Sequence, residues 1–372
     1  VCKSPLTNTW GDANSGGSFG PYMKFAGYDG VFFTGKSEKP VYLTIINGES
    51  ELHDAGEIWG KDTHDTEDIL KEAHGKETRI ACIGTAGEMQ SKIACVINDK
   101  GRAAGRSGVG AVMGSKGLKA VLVSGSLPVP MEDEAAAKAL RNRILKEEKE
   151  AGAGLKNYGT CEITAPAAMS GDSPVKNWGG AGPVDFPSAG AISDDSVVAL
   201  QEKKYYCWRC PLGCGGRMKA VEGKYAVPAG VHKPEYETLA AFGNSCLNDN
   251  LESIIKINDI CNRSGIDTIS AGSTVAFAIE CYENGIISDD DTGGLKLNWG
   301  NDEAIVELTS QIAARTGFGK LLSDGVKIAA ERIGNGADQF AMHVGGQELA
   351  MHDPRFTPGL ALTYQLEATP GR

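Results

Sequence analysis

Apolar residues along this chain fall into two textures. Up to about residue 130 they come in short β-rich runs, and beyond it they recur at helical spacing. Val31-Phe-Phe-Thr34 and Val41-Tyr-Leu-Thr-Ile-Ile46 predict two strands split by a turn from Gly35 to Pro40. After the Asn47-Gly48 turn signal, Glu51–Asp54 continues in strand style. Asp65–His74 predicts a short helix, with Thr66 as its cap ahead of Ile69 and Leu70. Arg79–Gly84, Ile93–Asn98 and Ala120–Gly125 complete the β-rich part.

Past Pro128 and Pro130 the spacing changes. Glu132–Glu150 predicts a charged amphipathic helix with Ala135, Leu140 and Leu145 on its apolar side. Residues 151–192 are loop-rich, and Asp195–Lys203 predicts another short helix. Asp249–Ser264 is helical, with Gly265 as its stop signal, and Ala271–Glu283 is apolar enough to be a buried helix. Two amphipathic helices fill 302–335. The fold class expected is α+β, with a first domain ending near residue 130.

Against this background Cys207-Trp-Arg-Cys210-Pro-Leu-Gly-Cys214-Gly-Gly216 stands out. Three thiols spaced C-x2-C-x3-C sit too close for comfortable mutual disulfides. Thiolates select zinc or iron–sulfur clusters, and a four-iron cluster normally takes four of them. Pro211 directly after a cysteine, with Gly213, Gly215 and Gly216 leaving room for N–H groups, favours the cluster over structural zinc or unliganded thiols. Radical SAM enzymes use the reverse order of spacings. No fourth ligand lies nearby.

Two glycine-rich loops add candidate anion sites. Gly16, Gly17 and Gly20 precede a short helical pattern and could present N–H groups to an anion; a plain turn is the alternative. In Gly101–Lys119, glycines alternate with Arg102, Arg106, Lys116 and Lys119. Small residues permit close approach and guanidinium groups grip phosphate, so a phosphorylated cofactor or a structural turn cluster fits. The spacing is neither a Walker A loop nor a Rossmann fingerprint. Pro234-Glu235-Tyr-Glu237 places two acids where a helix should start, so each is either a first-turn cap or a proton acceptor. His343 and His352 are further proton-donor candidates or structural residues.

Composition limits the remaining classes. A formal charge of −11 argues against nucleic acid or an anionic membrane as main partner. No apolar run approaches the roughly 20 residues of a membrane span. Ten cysteines over 372 residues fall short of disulfide density. Cys82, Cys95, Cys246, Cys261 and Cys281 read as buried free thiols, which suits a reducing cytoplasm. Val1-Cys-Lys-Ser-Pro5 and Ala368-Thr-Pro-Gly-Arg372 begin and end abruptly, and the expectation is a fragment.

Together these motifs resemble the aldehyde:ferredoxin oxidoreductase family of tungsten, sometimes molybdenum, bis-pterin enzymes. The resemblance rests on Ser4-Pro-Leu-Thr, Gly16-Gly17-x-Phe19-Gly20, Lys24-x-Ala-Gly-Tyr-Asp29, Ala103–Lys116, Cys207/Cys210/Cys214, Pro234-Glu-Tyr-Glu237-Thr and Cys261–Ser270, in this order. It implies a β-rich pterin-binding base over 1–130, a mostly helical domain over 131–340, and the start of a third over 341–372. Asn14, Gly16, Gly17, Gly20, Arg106, Gly108 and Gly110 match positions near the pterins and their phosphates, where a Mg2+ ion would bridge. Asn262, Gly265, Ile266 and Asp267 match the first of two pterin motifs, and Cys207, Cys210 and Cys214 match three ligands of a [4Fe-4S] cluster. Glu237 best matches the active-site glutamate, with Glu235 its neighbour. The fourth cluster cysteine and an active-site histidine are expected beyond residue 372. The implied function is oxidation of aldehydes to acids, with electrons passing to ferredoxin; reduction of acids or aromatic thioesters and an iron–sulfur relay subunit are alternatives. A homodimer or a separate electron-transfer subunit are further implied partners. Lys203, Lys204, Arg209, Arg217 and Lys219 form a local basic patch suited to an acidic carrier.

Overall fold

The computed structural model describes Val1–Arg372, apart from the side chains of Lys149 and Glu150. Six strands form a mixed sheet: β1 (Val41–Ile46), β2 (Glu49–Asp54), β3 (Arg79–Cys82), β4 (Val96–Asn98), β5 (Arg102–Ala104) and β6 (Leu118–Ser124). Their order is β2-β1-β6-β3-β4-β5, with β1 and β6 parallel and the other neighbours antiparallel. Successive side chains on a strand point to opposite faces, so β6, buried on both, reads as a continuous apolar run. Ala120 and Leu122 join Ile80, Cys82 and Leu70 of helix α2 (Thr63–His74) on one face. Val121 and Val123 join Leu43, Ile45 and Ala26, which follows helix α1 (Phe19–Phe25), on the other.

Several local expectations need correction. Val31–Thr34 forms no strand and Phe32 is 97% exposed. Both edges of β1 are already taken by β2 and β6, which leaves that run nothing to pair with. Within Ile93–Asn98 only Val96–Asn98 enters the sheet. The backbone of Ile93 and Cys95 bonds instead to the loop after the later helix, Asp267 N to Ile93 O and Cys95 N to Gly265 O. Helix α2 starts two residues early, capped by the Asp62 carboxylate accepting from Asp65 N at 2.8 Å. Thr66 is inside its first turn. The second glycine loop is mostly structured: it contains β5 and helix α3 (Val109–Ser115).

Beyond the sheet, α4 (Glu134–Ala151) leaves Leu140 and Ile144 largely exposed. The expected helix at 195–203 divides into a short helix, Asp194–Ala199, and a strand. That strand, β7 (Gln201–Tyr205), pairs antiparallel with β8 (Gly215–Met218), and inter-strand bonding overrides the helical spacing. The helical core is built from α5 (Tyr236–Leu239), α6 (Leu251–Ser264), α7 (Thr268–Glu283), α8 (Asp302–Ala314) and α9 (Val326–Ile333), while α10 (Pro358–Leu366) packs Tyr364 with Trp178 and Leu349 in a smaller cluster. Helix α7 buries nearly every side chain from Ser270 to Cys281, as an all-round apolar helix must. A Cβ at Gly272 would come 2.6 Å from the Ala241 Cβ, so glycine there lets α7 approach the wide turn 240–244 that follows α5. In that turn Ser245 N donates to Ala240 O, five residues back, a geometry that often accompanies functional sites. Leu6, Ala86, Ile93 and Ala94 also pack into this helical core. Among the described residues, no helix is long and apolar enough to cross a membrane.

Candidate functional site

Three cysteines come together because β7 and β8 form a hairpin whose connecting loop carries Cys207, Cys210 and Cys214, all half-buried and free. Gly17 N donates to Cys207 Sγ at 3.1 Å, and Arg102 Nη2 lies 3.9 Å from Cys214 Sγ. Such N–H···S contacts are what tune thiolate-held centres. Among the described residues, no three His, Cys, Asp or Glu groups converge tightly enough to hold a single ion. The sequence predicts the same glycine loop as an anion cradle or a plain turn. Its N–H groups go instead to Cys207 and, through Ser18 N at 2.7 Å, to the Asp99 carboxylate.

A cavity of about 350 Å³ opens beside this hairpin, between the sheet edge and the helical core. Asn14, Gly16, Arg102, Arg106, Glu235, Glu237, Asn262, Ile266 and Asp267 are on its wall. A larger cavity of about 570 Å³ lies over the sheet, lined by Phe19, Phe33, Val109 and Met113, but it contains no carboxylate and no arginine. The smaller cavity is therefore the candidate site. Two of its three arginines, Arg102 and Arg106, are deployed in protein contacts, yet each leaves a buried Nε without a partner. Arg102 reaches Glu235 at 3.4 Å and lies over the Tyr205 ring. Arg106 pairs with Asp267 at 3.3 Å and donates to the carbonyls of Glu348 and Gly371. Unpartnered buried donors are rare in native proteins and point to a missing acceptor. With Asn14, Asn258, Asn262 and Thr238 around them, these residues fit the phosphates and polar edges of a pterin cofactor, and the enclosed volume accounts for part of such a group.

The two acids at the start of α5 have different surroundings. Glu235 accepts from Arg102 and from the Thr160 hydroxyl, which itself accepts from Tyr236 N at 2.9 Å. Glu237 accepts one backbone bond, from Met351 N at 3.0 Å, and has His352 Nε2 at 3.9 Å. Its side chain is on the cavity wall and 30% exposed. Burial pushes its pKa above the ordinary carboxylate range, against the lowering effects of the Met351 N–H, His352 and Arg106. On the cysteine side, His232 is fully buried. Burial, Arg102 and Arg217 push its pKa down to about 3, so the ring is neutral, with Nδ1 donating to Lys233 O and Nε2 accepting from Tyr205.

Not every expected residue reaches the cavity. Gly17, Gly20, Gly108, Gly110 and Gly265 are outside its wall. Gly20 is exposed in the first turn of α1, and Gly265 is the left-handed cap of α6. Gly108 and Gly110 serve close packing: a Cβ would come 2.4 Å from Lys92 O and 2.5 Å from Cys95 O, respectively. Lys119 is wholly buried against Glu88 and grips no ligand, and Lys116 donates to Gly35 O at the other cavity. Asp267 also caps α7 through Ile269 N and Ser270 N. His343 accepts from Gly346 N in a turn away from the cavity. In the basic patch, Arg217 turns inward over Tyr205 and Lys204 is half-buried, which leaves Lys203, Arg209 and Lys219 exposed. Sequence reasoning missed His232, Lys233, Thr238 and Asn258. Asn258 could have been found, since it lies one helical turn before Asn262 on the same face of α6.

Comparison with known proteins is consistent along the chain. Residues 135–372 match the family model for aldehyde ferredoxin oxidoreductase, domains 2 and 3, and residues 1–125 match its N-terminal domain. The tungsten-containing aldehyde ferredoxin oxidoreductase of Pyrococcus furiosus is 41% identical over 98% of this chain, and that of Thermococcus kodakarensis 39% over 98%. The WOR-like subunit of the aliphatic sulfonate oxidoreductase of Pyrococcus furiosus is 32% identical over 95%. The chain spans about 60% of the length of these relatives. A solved structure of the BamBC active-site complex of benzoyl coenzyme A reductase, with 1,5-dienoyl-CoA, superposes with a TM-score of 0.81 at 28% identity, covering 94% of this chain and 54% of that one.

Proposed function

Since the chain belongs to the aldehyde ferredoxin oxidoreductase family, we propose that it forms the catalytic part of a tungsten-pterin enzyme oxidising aldehydes to carboxylic acids. Water is the oxygen donor, and the electrons pass through a [4Fe-4S] cluster to a ferredoxin-class carrier. The overall change is aldehyde plus water to acid, two electrons and two protons. The observation that carries this reading is Glu237, a carboxylate with a raised pKa in a cavity that also holds two arginines with free Nε groups. When bound, the metallopterin accepts the electron pair, chemistry no side chain here supplies. Arg102, Arg106, Asn14 and Asn262 would hold its anionic and polar groups, with Mg2+ among the phosphates. Glu237 takes the proton that water loses as it adds to the carbonyl; a raised pKa brings the base nearer neutral operating pH. Glu235 keeps Arg102 in place. Cys207, Cys210 and Cys214 would hold the cluster, with Gly17 N–H and Arg102 as donors to its thiolates. Residues 1–130 would be the base, with the helical parts divided near 340.

A second two-electron couple, reduction of an aromatic thioester, has one observation in its favour: the likeness to the benzoyl coenzyme A reductase complex. The first test is metal analysis of anaerobically purified protein. About one W or Mo and about four Fe per chain are expected. Iron alone would indicate a relay subunit, and zinc alone would end both redox readings. Dye-linked aldehyde oxidation and thioester reduction then separate the two couples.

A further inference from the structure

Glu237 does not end its line of titratable groups. His352 Nε2 faces its carboxylate at 3.9 Å, and His352 Nδ1 bonds the Asp172 carboxylate at 2.9 Å. The His352 side chain is 33% exposed. The Tyr236 ring lies against it with centroids 4.9 Å apart, Tyr364 Oη donates to His352 O, and Asp353 N donates to Asp172 O. Asp172 is 19% exposed. Its neighbours Gly171 and Ser173 line a separate surface cavity of about 460 Å³, together with Asp353 and Arg355. Charged groups also face the inner end: Arg106 and Asp267 act on Glu237 from the far wall.

We propose that His352 and Asp172 are a proton exit, leading from Glu237 at the candidate site to the outer cavity. This rests on the reading of Glu237 as the base. The proton taken from water by Glu237 passes to His352 Nε2, His352 gives its Nδ1 proton to Asp172, and Asp172 releases it to solvent. The part-exposed ring then returns to its Nδ1–H form by losing the Nε2 proton to water and taking one from water at Nδ1. The two electrons go to the metallopterin, so this line moves protons alone. At 3.9 Å the first gap exceeds a hydrogen bond, and a turn of the Glu237 carboxylate about its terminal torsion, broad in glutamate, closes it. The second is already at bonding distance. His352 and Asp172 thus act through Glu237 and are positioning and relay residues.

The test begins with the tautomer. In the 372-residue chain, ¹⁵N NMR of labelled histidine, with the signal identified by its loss in His352→Gln, should show Nδ1–H and a bare Nε2 in the neutral ring. An Nε2–H ring would overturn the proposal, because it cannot accept a proton from Glu237. Infrared titration of Glu237, identified by Glu237→Gln, should give a higher midpoint in His352→Gln than in wild type; an unmoved midpoint would overturn it. In metal-loaded protein, His352→Gln should lower kcat about tenfold with KM unchanged, and added imidazole should restore most of the loss. Full kcat without His352 would overturn the relay, as would an unrescued loss in a variant of wild-type thermal midpoint. If wild type turns over no aldehyde, the aldehyde reading fails, while the tautomer and the Glu237 titration still decide the relay.

Discussion

The two ends of the cavity treat charge differently. At the cysteine end Arg102 is matched by Glu235, Glu235 by Thr160, and neutral His232 by Tyr205. At the other end Glu237 has one backbone donor, and its nearest cation-forming group lies 3.9 Å away. Glu235 is tied into a chain of paired polar groups, whereas burial raises the pKa of the half-satisfied Glu237. Two glutamates two residues apart on one helix start thereby acquire different capacities. In the proposed mechanism neighbours, rather than residue type, would make one an anchor and the other a base.

The contrast breaks most directly at Glu237. Glu237→Gln should lower aldehyde turnover by about 10²–10⁴ while leaving metal content and KM unchanged. The same variant should unfold at a higher temperature near neutral pH. A raised folded pKa means the native state holds a proton that the unfolded state has lost above about 4.3, so the wild type loses stability as pH rises through that window. A variant no more stable than wild type at pH 7, and equally flat below pH 4, would remove the charge argument.

At the cysteine end, Arg102→Met should cost about 1–3 kcal/mol, because it leaves Glu235 in place without its cation. Pairing it with Glu235→Gln should recover part of that loss in a double-mutant cycle; additive losses would mean the pair is not coupled. His232 gives the same end a pH signature. Its folded pKa of about 3 lies below the ordinary 6.5, so the stability it contributes is complete above pH 6.5 and is lost as pH falls toward 3. Denaturant midpoints between pH 4 and 7 read this directly. The smallest effect belongs to the surface. Lys203→Glu with Lys219→Glu should raise the apparent KM for an acidic carrier about two- to fivefold at low salt and little at high salt.

The chemistry of the site was more legible than its wiring. Cys207, Cys210 and Cys214 drew attention by spacing alone, and the fold places all three in one hairpin loop. Helices α6 and α7 could be read because Gly265 stops the first and the second is apolar throughout, although Asp267 caps α7 so that it begins at Thr268 rather than at the expected Ala271. Lys119 could not: in sequence it alternates with glycines like an anion ligand, and only the fold brings Glu88 to it. Choosing between Glu235 and Glu237 likewise required Thr160 and Arg102, far away in the chain. Ile93–Cys95 failed for a related reason. Its strand pattern is genuine, but the loop 265–267 takes its hydrogen bonds.

Arg106 joins Asp267 at the start of α7 to the backbone of Glu348 and Gly371, with its Nε left over. By mass action, any acceptor that takes this last donor in the folded state alone also stabilises the fold, by about 2.7 kcal/mol at a hundred times its dissociation constant. Cofactor loading and resistance to unfolding are then one equilibrium viewed from two sides. Protein short of cofactor should accordingly be the fraction first lost to heat and proteolysis.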